Sequence, residues 1–177
     1  MARSAVKIAA LWAESRDGAI GKRGAVPWRS PADLRAVRSR TDGKILLVGS
    51  TTYAGLPPLP NRYPIVLSRG TIALRGPGEV SGSVREAVER AEALVHSGSY
   101  PEEVIVFGGA LVYRETLPLV GRIYRTRMVD LEVPEADAYA PTLREGEWRT
   151  VSIETVREDR NGRVEFSVLD RLPVPSQ

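Results

Sequence analysis

Four short, nearly uninterrupted apolar runs set the architecture of this chain: VKIAALW from Val6 to Trp12, KILLV from Lys44 to Val48, PIVLS from Pro64 to Ser68 and EVIVF from Glu103 to Phe107. Runs of this length suit strands covered on both faces. Stretches with helical spacing lie between them. Ser30 suits an N-cap, Pro31 the first helical position, and Asp33 falls at the third, as in a variant of the capping box. That helix should stop near Thr41-Asp42-Gly43. Ser83 opens a second, with Val84, Ala87, Val88, Ala91, Leu94 and Val95 at helical intervals. Ala110–Leu117 reads as a third. Arg122–Met128 adds a strand, Glu79-Val80 a short one, and Ala13–Gly24 reads as a polar connecting segment. After Pro141 come two strands, Arg149–Arg157 and Arg163–Leu169, joined at Asn161-Gly162, a strong hairpin signal. The pattern predicts an α/β fold: a mostly parallel sheet with an antiparallel hairpin at its C-terminal edge.

With 177 residues, one domain is expected over 1–177, its core spanning about 5–172. No stretch approaches the roughly 18 apolar residues of a membrane span. Met1–Lys7 lacks the apolar core of a signal peptide, so a cytoplasmic protein without membrane partners is expected. The absence of cysteine excludes disulfides, thiol catalysis and Cys-ligated metals, and a single histidine excludes a His-rich metal cluster. No metal site is expected. A net charge of +3 does not indicate nucleic acid, because the basic residues are scattered among 22 acids. The densest run, Arg35, Arg38 and Arg40, has the spacing of a solvated helix face rather than of a basic stripe.

Ligands of open α/β sheets bind beyond the carboxyl ends of the strands. Three strands here end in residues suited to phosphate: Gly49-Ser50-Thr51-Thr52, Leu67-Ser68-Arg69-Gly70 and Gly108-Gly109-Ala110. Together they point to a dinucleotide, although the full G-x-G-x-x-G fingerprint is absent. Asp33 admits two readings. One is a helix-capping carboxylate favoured by the helix dipole. The other is a proton relay, desolvated by Pro27, Trp28, Pro31 and Leu34 so that its pKa rises. His96 reads as a surface residue at a helix end, and Trp12 and Trp148 as packing residues. Glu132, Glu135 and Asp137 read as solvent-facing loop acids.

Taken in order, Ile20-Gly21, Pro27-Trp28, Pro31-x-Asp33-Leu34, Val48-Gly49-x-x-Thr52-Tyr53, Pro58-Leu59-Pro60-x-Arg62, Ile65–Arg69, Val106–Ala110 with Val112-Tyr113, Ile123-Tyr124-x-Thr126 and Asp137–Pro141 resemble the dihydrofolate reductase family. The resemblance spans nearly the whole chain. It implies an eight-stranded, mostly parallel central sheet flanked by helices, NADPH as hydride donor and 7,8-dihydrofolate as acceptor. It also implies binding of antifolates and a monomeric state. By the same resemblance Asp33 is the acid that holds the pterin and promotes protonation at N5. Trp28 orders water nearby, and Thr126 is the hydroxyl bonded to that acid. Ile8 and Phe107 would face the pterin edge through their carbonyls. Leu34, Val37 and Leu56 would line the ring and benzoyl slot, and Arg62 would bind the glutamate α-carboxylate. Ala10 and Ile20 would touch the nicotinamide, and Gly21–Val26 would be the loop that closes over it. Gly49, Ser50, Thr51, Thr52, Leu67, Gly108, Gly109, Ala110, Leu111, Val112 and Tyr113 would surround the cofactor, with Ser68 and Arg69 at the 2′-phosphate.

The chain departs from the family pattern in places. Val37 stands where a phenylalanine is usual, Ser50 where an arginine is usual, and Leu111 where a polar or basic residue is common. Arg69 is left to compensate for the lost arginine. Glu14-Ser15-Arg16 reads as about three residues longer than the common form, and Leu56-Pro57-Pro58 as one shorter. Two other readings stand beside the main one. The first is a reductase of a ribosylaminopyrimidine on the same fold, and the second a non-catalytic binding protein that kept the fold.

Overall fold

The computed structural model describes residues 6–174. Met1–Ala5, part of the segment read above for a leader and the start of the expected core, lies outside them, as do residues 175–177. Eight strands form one sheet in the order β5 (Glu79–Ser81), β4 (Tyr63–Leu67), β3 (Ile45–Gly49), β6 (Glu103–Gly108), β1 (Lys7–Ser15), β7 (Arg122–Met128), β10 (Gly162–Arg171), β9 (Trp148–Glu158). The pairings from β5 through β7 are all parallel. Only β10 runs against them, and it pairs antiparallel with both β7 and β9.

Four helices flank the sheet: α1 (Pro31–Thr41), α2 (Ser50–Gly55), α3 (Val84–His96) and α4 (Ala110–Thr116). The central strands bury Ile45–Val48 and Val104–Val106 almost completely. Each large side chain removed from water in this way contributes about 1.5–3 kcal/mol. Ala87, Ala91 and Val95 of α3 cover one face, packing with Ile45, Leu47, Ile65, Val104 and Val106. Val37 of α1 packs on the opposite face with Ala9, Leu11, Leu46, Ile105 and Tyr124.

Three details differ from the sequence reading. First, β1 does not end at Trp12. Ala13, Glu14 and Ser15 continue it, paired with Thr126, Arg127 and Met128, and the turn begins only at Arg16. Glu14 is buried because Trp12 Nε1 donates to it at 2.9 Å and the guanidinium groups of Arg127 and Arg125 stand 3.5 and 3.9 Å away. Second, β2 (Ala19–Gly21) pairs with β8 (Ala138–Tyr139) in a separate two-stranded sheet. Third, the hairpin turn comprises residues 159–161, and Gly162, at φ +69°, already pairs with Glu158. Asn161 is therefore buried against the body of the protein.

Candidate active site

The N-terminus of α1 places the acid. Pro31 has no N–H to satisfy, the Ser30 hydroxyl accepts from Asp33 N at 3.0 Å, and the Ser30 carbonyl accepts from Leu34 N at 3.0 Å. Ala32 N donates to Glu158 Oε1 at 2.9 Å. The first-turn donors are thus met without the carboxyl of Asp33, which is free to turn toward the sheet. There it meets the hydroxyl of Thr126, a buried residue of β7. Burial raises the proton affinity of Asp33, the Thr126 hydroxyl opposes that rise, and the negative charge of Glu158 adds to it. The helix-cap reading of Asp33 gives way to a desolvated acid. Trp28 stands just before α1, and its indole Nε1 is buried with no acceptor among the described residues.

Leu34 and Val37 continue the face of α1 from this acid. Val37, Leu59 and Phe107 pack on the cluster of Ala9, Leu11, Leu46, Ile105 and Tyr124, and Leu56, Leu59 and Phe107 on that of Val48, Tyr53 and Val66; Leu34 remains 40% exposed. Arg62 lies under the far end of the helix. Its Nε donates to Thr41 Oγ1 at 3.1 Å, Nη2 to Arg38 O at 2.8 Å and Nη1 to Pro60 O at 2.7 Å. Asp42 approaches the same group at 3.6 Å. Two of its five N–H donors remain for a ligand. Eight residues separate Asp33 from Thr41, so the acid and the guanidinium are about 12 Å apart along the helix.

The second part of the site is a shelf of bare backbone where β3 and β6 end side by side. A Cβ at Gly109 would come within 2.9 Å of Thr52 Oγ1, and one at Gly49 within 3.2 Å of a Val112 methyl. Gly108 carries φ +110°, and a Cβ there would press on the Tyr113 ring at 3.0 Å. Ser50, Thr51 and Thr52 form the first turn of α2, and Ala110, Leu111 and Val112 that of α4; Leu111 is 55% exposed. Leu67 ends β4, and the turn after it carries Ser68, which accepts from Gly70 N at 3.1 Å, and the exposed Arg69. Tyr113 is a core residue: it stacks edge-on against Trp12 at 5.3 Å and donates its hydroxyl to Leu11 O at 2.6 Å.

Two expected contacts lie elsewhere. Ile8 sits toward the start of β1, paired with Val104, and its carbonyl is taken by Gly121 N at 2.9 Å. Ala10 is enclosed between Val106 and Ile123 in the core and only 1% exposed. The residues of β1 at the level of Thr126 and Phe107 are Ala13 and Leu11, three positions further on. Assigning the three extra residues to a loop rather than to the strand displaced both expectations. Ile20 is half-buried in β2.

The Gly21–Val26 segment is folded into a tight turn, with Lys22 and Ala25 bridged and Arg23 and Gly24 at positive φ. Arg23 N donates to Asp137 Oδ2 at 2.7 Å and Lys22 Nζ to Pro134 O at 2.8 Å. The loop acids are thus engaged: Asp137 with this turn, Glu135 with Lys22, and Glu132 with Arg16. No cluster suited to a metal occurs among the described residues. None of the described helices is long and apolar enough to cross a membrane. Glu158 and Asn161 were missed in the sequence. An acid and an amide three residues apart at a hairpin end was the available signal.

A parallel sheet ending in a glycine shelf, with a desolvated acid of raised proton affinity on one flanking helix, defines the site of an α/β enzyme that can hold a phosphate-bearing ligand and move a proton. Comparison with known proteins narrows the class. The dihydrofolate reductase family model matches residues 7–171. The chain is 36% identical to the dihydrofolate reductase of Mycobacterium tuberculosis over 151 residues, covering 78% of this chain and 86% of that protein. It is 35% identical to the enzyme of Enterococcus faecium, covering 84% and 83% of the two chains. The structure of dihydrofolate reductase from Enterococcus faecalis complexed with NADP(H) and RAB-propyl superposes with a TM-score of 0.79 at 29% identity, covering 93% of this chain and 96% of that one. This chain belongs to the dihydrofolate reductase family.

Proposed function

We propose that the protein reduces 7,8-dihydrofolate to 5,6,7,8-tetrahydrofolate with NADPH. The layout of α1 carries this reading: a desolvated acid at its first turn, a guanidinium under its last, and the apolar side chains of Leu34 and Val37 between them. A ligand with a hydrogen-bonding ring at one end and a carboxylate at the other matches that spacing.

Asp33 holds the ring through its carboxyl, with Thr126 fixing the carboxyl's orientation. Its raised proton affinity supports proton delivery to N5 near neutral pH, by way of water held at the Trp28 indole. Protonation at N5 makes C6 electrophilic. Val37, Leu56, Leu59 and Phe107 receive the apolar middle of the substrate, and Arg62 offers its two unused donors to the α-carboxylate.

The glycine shelf fits a dinucleotide, because only glycine at 49, 108 and 109 lets the ends of β3 and β6 lie this close to Val112, Tyr113 and Thr52 at the starts of α4 and α2. Thr51, Thr52 and Ala110 would meet the phosphates at the same shelf, and Arg69 with Ser68 the 2′-phosphate. When bound, NADPH supplies the hydride for C6. The turn at 21–26, tied down by Asp137, would close over the reacting rings and exclude water.

The test follows absorbance at 340 nm with purified protein, NADPH and 7,8-dihydrofolate, beside NADH and substrate-free controls. Substrate-dependent oxidation abolished by methotrexate supports the proposal. Saturable NADPH binding without turnover would overturn it in favour of a pyrimidine reductase or a protein that retains only binding.

A further inference from the structure

The hairpin end of the sheet carries a polar cluster that the proposed reaction does not itself require. Glu158, the last residue of β9, reaches across to the start of α1, more than 120 positions away in sequence. Its Oε1 accepts from the Ser30 hydroxyl and from Ala32 N, both at 2.9 Å. Its Oε2 accepts from Asn161 Nδ2 at 2.6 Å, and the same amide nitrogen donates to Arg29 O at 2.9 Å. The two residues thus clamp Arg29, Ser30 and Ala32, just before Asp33.

From these contacts we infer that Glu158 is a positioning residue for Asp33: through the first turn of α1 it fixes where the acid stands, and its charge tunes how tightly the acid holds its proton. The inference rests on the reading of Asp33 as the proton-relaying acid. Three features carry it. Glu158 takes the capping bond of Ala32 N, and its bond with the Ser30 hydroxyl orients the oxygen that caps Asp33 N, so the carboxyl of Asp33 is spared from both duties. Although burial alone would raise the Glu158 pKa, the bonds from Asn161, Ala32 and Ser30, together with the charge of Arg35, hold it below the ordinary glutamate value. Glu158 is therefore an anion at neutral pH. The only other ionisable group coupled to Asp33 among the described residues is the phenol of Tyr113 on α4, which burial and the charge of Asp33 keep protonated. Thr126 faces the acid from β7 as a neutral hydroxyl. Glu158 is the charged side chain that acts on Asp33 among the described residues, and a negative charge there favours the protonated acid.

The experiment is a carbon-13 NMR titration of the side-chain carboxyls in the full chain without ligands, combined with pH–rate profiles. Glu158→Gln keeps an oxygen for Ser30 and Ala32 but removes the charge. It should lower the titration midpoint of Asp33 and move the alkaline fall in turnover to lower pH by the same amount. Glu158→Ala removes the anchor as well, and should cut kcat about 10-fold even on the acid side of the profile. In the wild-type protein the Asp33 resonance should show a second, smaller step where Glu158 itself titrates, a readout that needs no variant. An Asp33 resonance with a single step, together with an unmoved midpoint in Glu158→Gln, would overturn the inference. The titration is independent of turnover, so a protein inactive with dihydrofolate would refute the proposed reaction while the coupling could still be read.

Discussion

Gly109 and Thr52 stand so close that a single added carbon would not fit between them: the Cβ of an alanine at 109 would lie 2.9 Å from Thr52 Oγ1. Threonine is branched at Cβ and has little freedom to step aside. Gly109→Ala should therefore displace the first turn of α2 or of α4, each of which offers its N–H groups to the same shelf. The expected outcome is a KM for NADPH raised at least about 10-fold with a smaller effect on dihydrofolate, the pattern of lost ground-state binding. Steady-state kinetics with each substrate varied in turn checks it.

Asp33 sets function against stability. Its proton affinity is raised in the folded protein, so the folded state binds more protons than the unfolded one between the ordinary aspartate pKa and the raised value. Stability is then greatest below the unfolded pKa and falls as pH rises through the folded one. Asp33→Asn should reduce turnover about 10²- to 10⁴-fold, yet melt at a higher temperature than the wild type at pH 7. The gain should vanish near pH 3. Thermal unfolding at both pH values reads this, and a Tm no higher at pH 7 would show that the acid carries no desolvation cost.

Arg62 presents a different balance, because three of its donors already hold the end of α1 and the proline loop together. Arg62→Leu should raise KM for dihydrofolate roughly 10- to 100-fold, matching the about 1.5–3 kcal/mol of a hydrogen bond to a charged group. A substrate analogue lacking the glutamate should show almost no change. Loss of stability by about 1–3 kcal/mol is expected alongside, from the three abandoned bonds. Comparing the two substrates separates carboxylate recognition from damage to the loop.

Val37 leaves the slot between α1 and the sheet partly lined. Val37→Phe should tighten folate or antifolate binding by about 1–3 kcal/mol through aromatic contact. Titration calorimetry checks it, with thermal unfolding to confirm that the larger ring does not overpack the neighbours Leu59 and Phe107.

The sequence displayed what local chemistry controls. The apolar runs became central strands, and Ser30 with Pro31 opened α1 as their residue types require. Asp33 is desolvated enough for its proton affinity to rise, although Pro27, Pro31 and Leu34 around it stay exposed. What stayed hidden depends on partners far along the chain. Glu14 is a charged residue in a strand that buries it, tolerable only because Arg125 and Arg127 arrive from β7. With that carboxylate read as part of a connecting segment, β1 looked three residues too short, and Ile8 and Ala10 were expected at the level where the strand carries Leu11 and Ala13. The pairing of Thr126 with Ala13 exists only once β7 is laid beside β1. The dipeptide Asn161-Gly162 similarly suggested a two-residue turn, whereas Asn161 is drawn inward by Arg29 and Glu158.

The clamp on α1 also bears on the order in which the chain can mature during synthesis. β10 lies between β7 and β9, so the sheet beyond β7 cannot assemble until nearly all of the chain has been made. Ala32 N waits for Glu158 over the same interval. A nascent protein with every other helix and strand in place would still hold the start of its first helix by the Ser30 cap alone, while Arg62 and Val37 hold the rest. Competence would arrive late and abruptly, once both strands of the hairpin are made and it closes on the start of α1.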